Sequence, residues 1–297
     1  MIRRLIFNID SCKLYNCIDF YALIKIETTD CLNRKTKPKM RYTILYPPPE
    51  LKDFVSHFWI SFIKGQSEDL NNTFHYSTAY SLANIVIAFR GSESNPSPAF
   101  SQFQGQTAIP QKIRIPDEGF VKIFGVSIYS HAIPQFFNVL ASEFSNQSIP
   151  LSNFWGNQDN LFTEMMAASL YTEDCINSLS DYLKSQLSVN RFKDEIVIKA
   201  TNQIRQDNGN INMERLSHEL NLSYKQFARR FKINTGFNPK LYARIIRFES
   251  VLYNTMKYTS LTEAAYMNGY YDQAHCIQDF KDFTGYSPQK FFAITSL

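Results

Sequence analysis

One nine-residue fragment occurs twice in this chain. FKINTGFNP spans 231–239 and FKDFTGYSP spans 280–288, offset by 49 residues. Phe231, Lys232, Thr235, Gly236 and Pro239 recur as Phe280, Lys281, Thr284, Gly285 and Pro288. Five identities at one offset mean a supersecondary unit used twice.

The residues before each copy say what the unit is. In LSHELNLSYKQFARRFKIN, Leu216 and Leu220 give a buried side, Asn221 suits a turn with positive φ, and Ser223 suits an N-cap. In EAAYMNGYYDQAHCIQDFKDF, Ala264 and Ala265 let helices approach closely and Gly269 takes the turn. Short helix, tight turn and second helix make a helix-turn-helix, whose second helix enters a DNA major groove. At about 100° per residue, Tyr224, Phe227 and Phe231 share one face, and Lys225, Arg229 and Lys232 lie opposite. In the second copy Cys276, Phe280 and Phe283 face the core, while Ala274, His275 and Gln278 point away among Asp272, Asp279 and Asp282. Arg suits guanine and Gln suits adenine. The first helix therefore supplies charge and the second mostly discrimination.

Charge follows the same division. Residues 199–297 hold thirteen Lys/Arg against eight Asp/Glu, and residues 40–198 hold ten against fifteen. A basic C-terminal part beside an acidic middle points to a polyanion partner for the former.

The N-terminal part reads differently. ANIVIAFRG (83–91), QKIRI (111–115) and FVKIFGVSIY (120–129) are short strands between Gly, Pro, Ser and Asn clusters. MRYTILYPPPELKDFVSHFWISF reads as a strand, a Pro-fixed turn and an amphipathic segment, and GSESNPSPAFSQFQG (91–105) as a hairpin connection. Even strand spacing predicts a sandwich or barrel. NLFTEMMAASLY and then EDCINSLSDYLKSQL, with Thr172 as N-cap, predict a helical hairpin whose apolar faces must be covered by the barrel or by another copy. The domain expectation is an extension at 1–39, with Met40 as the natural start, a β-barrel at 40–160, a helical linker at 161–192 and a helical domain at 193–297. The helix-turn-helix units fall at about 212–234 and 261–283.

The region 196–297 strongly resembles the DNA-binding domain of AraC/XylS-type transcription regulators. LSHELNLSYKQFARRFKINTGFNPKLY, RIIRFESVL and EAAYMNGYYDQAHCIQDFKDFTGYSPQKFF carry the resemblance. It implies two helix-turn-helix units joined by a linker helix, with base readers at Lys225, Ala228 and Arg229 and at Ala274, His275 and Gln278; Gln226 and Lys232 complete the DNA-facing set. Two positions depart from the pattern. Cys276 replaces a large apolar residue, and Gln278 stands where Arg is frequent. Less specifically, YPPPELKDFVSHFW and FQGQTAIPQKIRIPDEGFVKIFGVSIYSHAIPQFF resemble the cupin-like sensor domain of a branch of these regulators, over about 41–188. That implies effector binding and dimer formation.

The fold class expected is α+β: a cupin or jelly-roll-like N-terminal barrel with a helical hairpin, then an all-α domain. The function expected is sequence-specific transcription regulation. Its partners are double-stranded operator DNA, a small-molecule effector, RNA polymerase and a second copy through 161–188. An effector-independent architectural protein is the alternative, and a cupin enzyme fused to a DNA-binding domain is a remoter one. His57, His75 and His131 are isolated, with no HxH pair, and GxSxG does not occur, so neither a catalytic site nor a metal or cofactor is expected. Trp59, Phe89, Phe124 and Tyr129 are candidates for an aromatic effector pocket. No apolar run approaches the length of a membrane helix, and the first twenty residues lack a secretory pattern, so the default location is cytoplasmic.

Overall fold

Alternation along the strands decides the N-terminal architecture. In the computed structural model, which describes residues 4–8, 39–64, 74–92, 95–114, 120–156, 163–164, 172–189, 193–254 and 260–295, nine strands precede the helical part. They are β1 (Arg4–Asn8), β2 (Lys39–Leu45), β3 (Val55–Lys64), β4 (Phe74–Ser77), β5 (Leu82–Ser92), β6 (Asn95–Gln104), β7 (Gln111–Arg114), β8 (Phe120–Tyr129) and β9 (Ser148–Pro150). Seven form an antiparallel sheet in the order β1-β2-β3-β8-β5-β6-β9, and β4 pairs with β7. The sheet is cupin-like in its antiparallel crossovers but stays open, because β1 and β9 end it without pairing to each other. Arg4–Asn8 of the extension pairs with Arg41–Leu45, and residues 9–38 lie outside the described residues.

Most of the segment 91–105 is strand rather than connection, since Gly91 and Ser92 end β5 and Asn95–Gln104 form β6. Pro96 and Pro98 made it read as a loop, since proline cannot donate to a ladder. Both lie where β6 faces β5 on one side only, as β9 reaches β6 at residues 102–104. Proline is tolerated on such an edge.

Period-two side chains fill the main core. Phe58 and Ile60 of β3, Ile85, Ile87 and Phe89 of β5, Phe103 of β6 and Phe124, Val126 and Ile128 of β8 are buried together. Helix α1 (Ile133–Phe137), the short α2 (Ser152–Trp155) and α3 (Thr172–Val189) close this face. Cys175, Ile176, Leu179 and Leu183 form the expected stripe of α3, and its own sheet covers them. Of the other predicted hairpin helix, only residues 163–164 are described.

The helical part contains α4 (Glu195–Gln206), α5 (Met213–Glu219), α6 (Tyr224–Thr235), α7 (Pro239–Asn254), α8 (Leu261–Met267), α9 (Gln273–Thr284) and α10 (Pro288–Thr295). Asp194, Asn212, Ser223, Ser260 and Asp272 accept backbone N–H groups as N-caps of α4, α5, α6, α8 and α9. The core of this part recruits Ala79, Tyr80 and Leu82 from the strand region, so the two halves share apolar packing.

Polar contacts fasten the same junction. Ser81 donates to the carboxylate of Glu249 on α7 through its backbone N–H (2.6 Å) and its hydroxyl (2.9 Å). Ala79 N–H donates to Phe283 O of α9, and Ser145 Oγ donates to Gly236 O at the end of α6. His131, fully enclosed, places Nε2 2.9 Å from Asp53 O and Nδ1 3.0 Å from Thr201 Oγ1 on α4.

Burial, aided by the Arg205 cation and opposed by the hydrogen bond to Asp53, pulls the His131 pKa down to about 4. An unfolded histidine titrates near 6.5, so above that pH both states hold it neutral. As pH falls from about 6.5 to about 4, the unfolded chain binds a proton that the native state refuses, and stability is lost. The gap corresponds to about 3 kcal/mol. Urea melts across this window should show His131→Gln losing that much less stability than the unsubstituted chain, and parallel pH profiles would contradict the account.

Candidate nucleic-acid interface

Four of the five repeated positions now have a physical reason. Phe231 and Phe280 are fully buried anchors. Thr235 and Thr284 are buried, and each hydroxyl reaches two carbonyls: Phe231 O and Phe237 O in the first copy, Phe280 O and Tyr286 O in the second. Gly236 and Gly285 end their helices at φ 85° and 76°, where their N–H groups bond to Lys232 O and Lys281 O. Pro239 and Pro288 open the next helices, where their missing N–H is no loss. The turns also match expectation, with Asn221 at φ 57° and Gly269 at φ 78°.

This scaffold sets the outward faces. Lys225, Gln226, Arg229 and Lys232 are exposed on α6, with Ala228 partly so, over a floor of Phe227 and Phe231. Ala274, His275 and Gln278 are exposed on α9, over Cys276, Phe280 and Phe283. Burial and the neighbouring Asp279 push the Cys276 thiol up to about 12, so it packs as a neutral group.

Several side chains are already engaged. The Gln226 carbonyl oxygen accepts from Ser223 N–H (3.1 Å) and Ser223 Oγ (2.8 Å) in a capping box, which leaves its NH2 group outward. Arg230 pairs with Asp194, the cap of α4, so that cation braces α6 against α4. The three aspartates around α9 also have internal work. Asp272 caps the helix, and Asp279 and Asp282 receive Arg244 from α7. The sequence offered a partial signal for this, since acids three apart on a helix share a face. Their partner is 35 and 38 residues away, beyond the reach of local reading.

Residues 216–294 match the family described as "Helix-turn-helix domain". These residues form an AraC/XylS-type double helix-turn-helix domain. Residues 43–150, upstream of the AraC/XylS-type domain, match the family described as "Domain of unknown function (DUF6597)". No curated protein matches the chain. Among solved structures, the chain is similar to unsaturated fatty acid bound wild-type ToxT from Vibrio cholerae strain SCE256, with 12% identity and a TM-score of 0.44 over 76% of this chain and 94% of that one. It is also similar to ToxT from Vibrio cholerae O395, with 11% identity and a TM-score of 0.42 over 75% and 95% of the two chains. The residues of the AraC/XylS-type repeat, rather than these distant likenesses, decide the assignment.

The four aromatic side chains expected to line one effector pocket do not come together. Phe89 and Phe124 lie in the main core of the sheet. Trp59 lies on its other face with Ile44 and Val86, flat against Gly125, where an added Cβ would fall 2.1 Å from the indole. Tyr129 stands at the junction, with the Arg205 guanidinium 4.4 Å from its ring centroid. Among the described residues, no group of three or more His, Cys, Asp or Glu could hold a metal ion, and no helix is long and apolar enough to cross a membrane.

Equivalent glycines of the AraC/XylS-type repeat meet different surroundings. A Cβ on Gly236 would strike the side chains of Gln106 and Ser145, and one on Gly285 would reach no closer than 3.7 Å to Pro110. Gln106 is buried and donates to Ala141 O, so it cannot yield freely. Gly285→Ala should cost about 1–2 kcal/mol, from left-handed backbone alone. Gly236→Ala should cost about 1–3 kcal/mol more, through lost hydrogen bonds. Equal losses in denaturant melts would show that the junction does not press on Gly236.

Proposed function

We propose that the chain is a sequence-specific, DNA-binding transcription regulator whose N-terminal part modulates the DNA-reading part. DNA binding follows from the AraC/XylS-type domain. The observation that carries the finer reading is the pair of recognition helices with free outward faces on one duplicated scaffold. Helix α6 offers Lys225, Arg229 and Lys232 to DNA, and α9 offers Ala274, His275 and Gln278. Arg229 has the reach and fork geometry for guanine O6 and N7, and the lysines suit guanine or phosphate.

Modulation has a physical route. The strand region touches the C-terminal ends of both recognition helices, through Ser145 at Gly236 and Ala79 at Phe283, and it holds α7 through Ser81 and Glu249. A ligand that favours one arrangement of the strand region then favours one arrangement of the helices. The second face of the sheet suits a small effector with polar groups. It buries Trp59, Ser61 and Val86, and Ser127 Oγ donates there to Asn84 Oδ1 at 2.7 Å. Contact with RNA polymerase, and pairing of two copies through 161–188, are further parts of this reading.

The test is a salt series of binding to a duplex selected from random sequence. Arg229→Ala should weaken specific binding by about 1–3 kcal/mol, relax preference at one base pair and reduce the salt slope by about one. Arg230→Ala should leave that slope nearly unchanged and lower the melting temperature, because its partner is Asp194. Gln278→Ala should alter preference roughly one helical turn away with little change in slope. If Arg229→Ala left affinity and preference intact, the assignment of α6 to base reading would fail.

A further inference from the structure

The recognition helix α9 carries acids that a DNA-facing helix has no electrostatic reason to carry. Arg244 of α7 pairs with two of them and offsets part of their charge. Its Nε and Nη2 donate to Asp279 Oδ1 at 3.1 and 2.6 Å, and Nη2 donates to Asp282 Oδ2 at 2.7 Å. Asp279 is fully buried, and its second oxygen accepts from Tyr270 Oη at 2.9 Å. Asp282 sits one turn further toward solvent, with its side chain 39% exposed. Its second oxygen accepts from Gln278 Nε2 at 2.7 Å. Contacts therefore run without a break from the linker helix to the side chain assigned to read a base.

The carboxylate dictates what Gln278 has left to offer. An ionised carboxylate only accepts, so it takes an N–H and fixes which end of the amide faces it. The hydrogen bond from Arg244 holds the Asp282 carboxyl below the usual carboxylate range, so it remains an acceptor near neutral pH. Gln278 is left with Oε1 as an acceptor and one N–H as a donor. In the major groove adenine presents one donor, N6–H, and one acceptor, N7, whereas guanine presents two acceptors. A pinned amide meets adenine in one fixed order, and an unpinned one must first lose its rotational freedom.

We propose that Asp282 is a positioning residue for DNA readout, pinning the amide of Gln278 so that the second recognition helix selects adenine, with Arg244 tying that selection to the linker helix. The proposal rests on the reading of Gln278 as a base reader. It also accounts for an acid beside a phosphate backbone, since Arg244 offsets part of its charge while leaving one oxygen for Gln278.

The experiment selects duplexes from random sequence with the full chain and with Gln278→Ala, Asp282→Ala, Asp282→Asn and the double Gln278→Ala/Asp282→Ala, and records base preference and melting temperature for each. The expected result is an adenine preference at one base pair that Gln278→Ala removes. Asp282→Ala should reduce the same preference at least threefold while leaving other positions unchanged. The double variant should add nothing at that pair. Asp282→Asn, which keeps the shape and one acceptor oxygen, should weaken the preference less. A purely structural role for Asp282 would lower affinity for all sequences alike and leave the preference pattern intact, and that outcome overturns the proposal. If Gln278→Ala itself changes no preference, the base-reading assignment fails first, and the two failures are told apart.

Discussion

Tyr242 and Phe248 sit on one helix, less than two turns apart, and each forms the floor under a different recognition helix. Tyr242 meets Phe231 of α6 edge-on at 5.3 Å, and Phe248 meets Phe280 and Phe283 of α9 at 5.1 and 5.3 Å. Each such pair contributes about 0.5–1.5 kcal/mol beyond its burial. The larger consequence is geometric. An α-helix rises about 1.5 Å per residue, so α7 fixes the separation of the two units as a rigid spacer. Packed cores do not deform continuously, so the pair of readers moves as a set or repacks.

The junction with the strand region works on the same spacer. Glu249 lies one residue after Phe248 and is almost fully buried, with both carboxylate oxygens engaged by Ser81. A buried carboxylate is tolerable only while such donors remain. The junction thus prefers a single docked geometry, and partial separation would expose a desolvated charge. This makes the contact between sensor-like and DNA-reading parts selective in geometry rather than merely adhesive.

How much of this could be read from the sequence depends on range. Phe227, Phe231, Phe280 and Phe283 announced their faces because helical period is local, and the repeat gave the phase a second measurement. Asn221 and Gly269 announced their turns because positive φ restricts residue type. Strand β6 escaped because Pro96 and Pro98 suppress the local signal, and only the one-sided pairing of that stretch makes them tolerable. The proposed aromatic pocket escaped for a different reason. Successive strand residues face opposite sides, so Trp59 and Phe124 part company once the register is set. The helical period places Lys225, Arg229 and Lys232 outward but is silent on Arg230, whose engagement by Asp194 is a long-range fact.

The two units resemble each other in scaffold and differ in how they hold their glutamines. Gln226 stands at the third position of α6, where its oxygen serves the helix N-terminus, so its role there is to fix where the reading helix begins. Gln278 stands mid-helix on α9, where its nitrogen is held by Asp282 and its side chain is exposed. In the first unit Lys225, Arg229 and Lys232 are exposed and the amide is spent on structure. In the second, Asp279 and Asp282 are tied to Arg244, and the amide of Gln278 is the proposed reader. Two copies of one unit can thus differ in what they present outward, because the repeated residues fix the backbone and leave the outward positions to vary.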